Sequence, residues 1–103
     1  MIRLPYALLD RICTLATHLG ERPEGEARVE TMCELLRACP DGRQVAAHRG
    51  LLVMLLDAEE KAMWDILADT WLFVAPATTG AEIAAALAGA AAQSRRTAVA
   101  HST

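Results

Sequence analysis

Aromatic side chains are scarce in this chain of 103 residues: Tyr6, Trp64, Trp71 and Phe73 make up the whole 4%. A core must therefore be aliphatic, with two tryptophans as its largest fillers. Lysine is rarer still, with Lys61 alone, and a net charge of −3 argues against a protein built mainly to grip phosphate backbones. Gly42 and Gly50 stand isolated, with neither GxGxxG nor GxxxxGK around them, so no phosphate-cradling loop is expected. Cys13, Cys33 and Cys39 form no CxxC, and no histidine pair sits at turn spacing. The local ligand pairs of a metal site are missing, and no metal or cofactor is expected.

No apolar run approaches the length of a membrane span, and Pro76 and Glu82 interrupt the later one. The opening MIRLPYALLD carries an Arg, a Pro and Asp10, so no signal-peptide core is expected. With an odd number of widely spaced cysteines, reduced thiols in a soluble, cytoplasmic protein are the expectation.

What is present is helical. Apolar residues reach 53%, enough for one domain over 1–93, with a flexible tail over 94–103. Leu8, Ile12, Leu15 and Leu19 follow the 4-3-4 spacing of one helix face, flanked by Cys13, and predict a helix over about 4–19. Gly20 reads as its left-handed stop, and ERPEGE as a loop. Val29, Met32, Cys33 and Leu36 form the stripe of a second helix over about 26–38. Glu26, Glu30 and Glu34 stack on another of its faces. Cys39-Pro40-Asp41-Gly42 is a turn.

Residues 43–74 are the richest stretch, with six consecutive apolar residues from Leu51 to Leu56 ahead of a Trp-bearing amphipathic segment. One straight helix over 43–73 would be roughly 46 Å long at 1.5 Å per residue. A domain of this size has a radius of gyration of about 13 Å. Asp57 stands three residues before Glu60, the capping-box spacing, which favours a joint there and helices over about 43–56 and 58–73. The alternative is one helix running through, which Lys61, four residues from both Asp57 and Asp65, would support. Thr79 and Glu82 repeat that spacing ahead of an Ala-rich stretch, which predicts a loosely docked fifth helix over about 80–92. The expected fold is an all-α bundle of four main helices plus this weaker one.

Function is less legible. The cysteines read as small buried hydrophobes; Cys39, at a helix C-terminus, has a dipole opposing its thiolate. No activated nucleophile with its base is evident, and no catalytic residue is assigned. The helix-turn-helix proportions around CPDG make a DNA reader conceivable, through Arg43, Gln44, His48 and Arg49. The acidic ridge before it and the LLVMLL run within it count against that alternative. Ala46 and Gly50 leave a small-residue groove, and large anchors follow, so protein association is the favoured reading. The expected interface is Leu52, Leu55, Trp64, Leu67 and Trp71, covered by a second copy (a homodimer) and by another protein; the alternative is that both tryptophans simply belong to the core. The acidic ridge is ordinarily a solvated face; its alternative role is docking a basic partner.

Overall fold

The 4-3-4 stripe of Leu8, Ile12, Leu15 and Leu19 is the side that the first helix buries. In the computed structural model, which describes residues 4–45 and 56–102 (side chains only through Arg96), this helix, α1, spans Tyr6–Gly20. Cys13 is exposed rather than part of a buried flank. At 100° per residue it lies a quarter-turn beyond Ile12, outside the stripe. Gly20 is not a left-handed stop either, since no described glycine has positive φ. It stays helical and lies beside the last helix, where a Cβ would make ordinary contact with Ser94 at 3.4 Å.

Helix α2, Gly25–Arg37, buries Val29, Met32, Cys33 and Leu36, the expected stripe. It begins at Gly25 because only a glycine fits there; a Cβ would land on the Leu19 carbonyl oxygen. The chain then turns through Asp41, whose carboxylate accepts from the Arg43 and Gln44 amides at 2.9 and 3.2 Å. That cap starts a short 3₁₀ turn, Gly42–Gln44, where an α-helix was expected to begin. The remainder of the expected 43–56 helix, including His48, Arg49, Leu52 and Leu55, falls mostly on residues 46–55, outside the described residues.

The joint at Asp57 is present. Helix α3, Ala58–Val74, opens with a complete capping box in which Asp57 accepts from the Glu60 amide at 2.9 Å and Glu60 accepts from the Asp57 amide at 3.0 Å. The last helix, α4, spans Gly80–Ser102 and begins with the second capping box, Thr79 with Glu82. It is longer than the expected 80–92, and residues 94–102 continue it instead of forming a loose tail. Nor does it dock loosely, because Ile83, Ala84, Leu87 and Ala91 are all fully buried. Small alanines between two aliphatic anchors permit the close helix approach that larger residues would prevent.

The fold is all-α and compact, with a radius of gyration of 13.0 Å. Helix α1 packs against α4, α3 and α2, and α2 also packs on α4. Trp64, Leu67 and Trp71 lie inside the one core cluster these helices enclose. The Trp71 indole donates to the Thr78 carbonyl at 2.8 Å, and the Gly42 amide donates to the Pro76 carbonyl at 2.9 Å. These two bonds fix the loop after α3 against the 3₁₀ turn. Among the described residues no helix is long and apolar enough to cross a membrane.

Candidate functional site

Two features on one side of the molecule concentrate polar chemistry, an ion-pair cluster and an apolar groove beside it. The cluster joins the α1–α2 connection to the start of α3. Glu60 has no solvent exposure, yet both its carboxylate oxygens are engaged. Arg28 grips it bidentately, Nε to Oε2 at 3.0 Å and Nη2 to Oε1, while Oε1 also accepts from the Asp57 amide. Arg22 donates to Asp57 at 2.5 Å and holds its Nε 3.9 Å from Glu60 Oε2. His18 lies 3.5 Å from Arg22 and 4.0 Å from Glu59.

The electrostatics follow from those contacts. The Arg28 guanidinium is pushed above its ordinary pKa, chiefly by its hydrogen bonds to Glu60. Asp57 is held below the ordinary carboxylate range, first by the backbone amide of Glu60 and then, against a smaller opposing effect of burial, by Arg22. His18, Asp57 and Glu60 bring possible ligand atoms within 4.8 Å of one another. As a metal set they fit poorly, because two guanidiniums already bond the carboxylates and would repel an entering cation. A fully engaged carboxylate is also a poor general base. This cluster is a clasp that pins α3 to α2 and to the end of α1.

The groove runs along α2. A recess of about 170 Å³ is lined by Ala27, Thr31, Met32 and Leu35, with Glu24 and Arg28 at its margin and Leu56 across from them. Ala27, Thr31 and Leu35 recur every four residues and so form one ridge of the helix. Glu24, the residue that precedes α2, and Glu26, Glu30 and Glu34 within it are all exposed, and none belongs to an ion pair among the described residues. The clasp draws Arg28 to Glu60, which leaves Glu24 as the acidic group lining the groove, with Glu30 and Glu34 on the neighbouring ridge.

The residues expected to bind are placed differently. Trp64, Leu67 and Trp71 are buried in the chain's own core, so the folded chain offers no partner surface through them. Among the described residues the two tryptophans are the largest fully buried side chains. Arg43 and Gln44 are exposed in the 3₁₀ turn. Large apolar residues that do face outward are Ile66, Phe73 and Val74 on α3 and Tyr6 and Leu9 on α1. Cys33 and Cys39 are buried and donate to the carbonyls of Ala84 and Asp41, each at 3.3 Å. Burial pushes both thiols up, which suits structural rather than reactive cysteines.

The groove residues were the ones missed. Their four-residue spacing is in the sequence, but Ala27 and Thr31 are small and only Leu35 stands out as apolar. Comparison with known protein families, with curated proteins and with solved structures finds no match for this chain.

Proposed function

We propose that this protein acts by binding another protein, and that α2 is the docking face. The observation that carries this is the apolar groove over Ala27, Thr31, Met32 and Leu35, lying beside a clasp that holds α2 and α3 in fixed relation. A preformed apolar recess on a rigid helix favours binding, because little conformational entropy is lost on association. Arg28, the cation that lines it, is held in a structural pair with Glu60, which favours a binding surface over a reaction centre.

Affinity capture from the source cells, with wild-type protein and with Thr31→Glu, tests this. Thr31 is exposed, so the substitution charges the groove while sparing the core. A protein captured by wild type and lost with Thr31→Glu is the expected result. Equal capture by both contradicts the groove, and no specific capture contradicts the binding role.

Self-association has one observation in its favour. Phe73 is 79% exposed and Ile66 46%, on the outer face of α3, where a second copy could cover them. Light scattering with size exclusion would return a dimer mass for wild type and a monomer mass for Phe73→Ser. A monomer mass for wild type removes this second role.

A further inference from the structure

The partner's chemistry can be read from the shape and charge of the same groove, and this inference rests on the docking role just proposed. From Glu24 to Leu35 the groove follows α2 for three turns, roughly 16 Å at 1.5 Å per residue. A volume of about 170 Å³ spread over that length is a shallow furrow. Pockets that enclose compact small molecules are larger and bury most of the ligand. A furrow along a helix instead suits the apolar side chains of a second helix, set at i, i+4 and i+7.

Charge narrows the occupant further. Glu24 stands at the margin of the groove, and Glu30 and Glu34 sit one residue before Thr31 and Leu35 on the adjoining ridge. The cation within the groove, Arg28, is held by Glu60. One side of the groove is therefore acidic, through Glu24 at its end and Glu30 and Glu34 beside it, while Arg28, Met32 and Leu56 line the other. Glu30 and Glu34 stand at the i, i+4 spacing at which like charges disfavour each other, and a cationic partner would relieve that repulsion. A second copy of α2 would bring its own glutamates against these and is disfavoured.

We infer that the α2 groove takes a basic amphipathic helix of another protein, about three turns long, whose apolar ridge meets Ala27, Thr31 and Leu35 and whose Lys or Arg side chains meet Glu24, Glu30 and Glu34. The complex would be salt-sensitive, since its charged rim is solvent-exposed.

The test is a backbone-amide NMR titration of the full chain with a synthetic amphipathic peptide carrying Leu at i, i+4 and i+7 and Lys on both flanks. A second peptide has Glu at every Lys position. The Lys peptide should shift amides around Ala27, Thr31 and Leu35 in a saturable way. The triple variant Glu24→Lys, Glu30→Lys, Glu34→Lys should bind it about tenfold more weakly, while its unchanged melting temperature shows that it still folds. Equal binding of both peptides, or shifts centred on Phe73, would overturn the inference. So would absence of saturable binding by the Lys peptide. Any of these results leaves capture of a protein through Thr31 standing, so the two claims fail separately.

Discussion

Glu60 is the residue on which most of the polar architecture turns. It closes the α3 capping box and at the same time neutralises Arg28, without exposure to water. Removing one member of a buried pair leaves the other uncompensated, whereas replacing both by apolar groups can be nearly neutral. Glu60→Ala should therefore destabilise the fold by about 3 kcal/mol, while Arg28→Met with Glu60→Met should recover most of that loss. Urea denaturation of the two variants checks it; equal losses would mean that packing, and not the charge, sets the effect. Asp57 makes a prediction in pH. Its folded-state pKa lies below the ordinary carboxylate value, so it stabilises the fold above that value, and the contribution is lost as pH falls through the folded pKa. Thermal melts should thus show wild type losing stability below about pH 4, and Asp57→Asn, which keeps the cap but not the charge, losing less. Parallel acid profiles would place the acid sensitivity elsewhere.

The helices were legible in the sequence where local chemistry decides them. Asp57 with Glu60, and Thr79 with Glu82, announce two helix starts by spacing alone, and both capping boxes form. The stripes of α1 and α2 were equally readable, because periodic large residues record which side is buried. Misreadings arose where small residues carry the packing. The Ala-rich segment looked weakly anchored, but Ala84 and Ala91 are buried because they are small enough for close contact. Glycines tell the same story in opposite senses. At Gly80 a Cβ would land on the carbonyl oxygens of Leu36 and Cys39, whereas at Gly89 it would meet nothing within 4 Å. Gly80→Ala should then cost about 2 kcal/mol or more through overpacking. Gly89→Ala should gain about 0.8 kcal/mol from helix propensity. Chemical denaturation midpoints moving in the same direction for both would contradict this packing of α4.

Taken whole, the molecule buries its two tryptophans in its own core and leaves Tyr6 and Phe73 exposed. Trp64 and Trp71 looked like interface anchors because amphipathic periodicity is the same for a core face and a partner face. Only the tertiary fold separates the two, and it turns both indoles inward. The clasp was illegible for a related reason. Arg28 and Glu60 lie 32 positions apart, and nothing local in the sequence pairs them. With α2 pinned to α3, the α2 groove combines an apolar recess with an acidic side formed by Glu24, Glu30 and Glu34. The most direct test of that claim is photo-crosslinking in the source cells, with a photoreactive amino acid placed at Thr31 in one version and at Phe73 in another. The account predicts a discrete adduct with another protein from Thr31, and from Phe73 no adduct other than one joining two copies of this chain. An adduct from Phe73 alone, or from neither position, would contradict it.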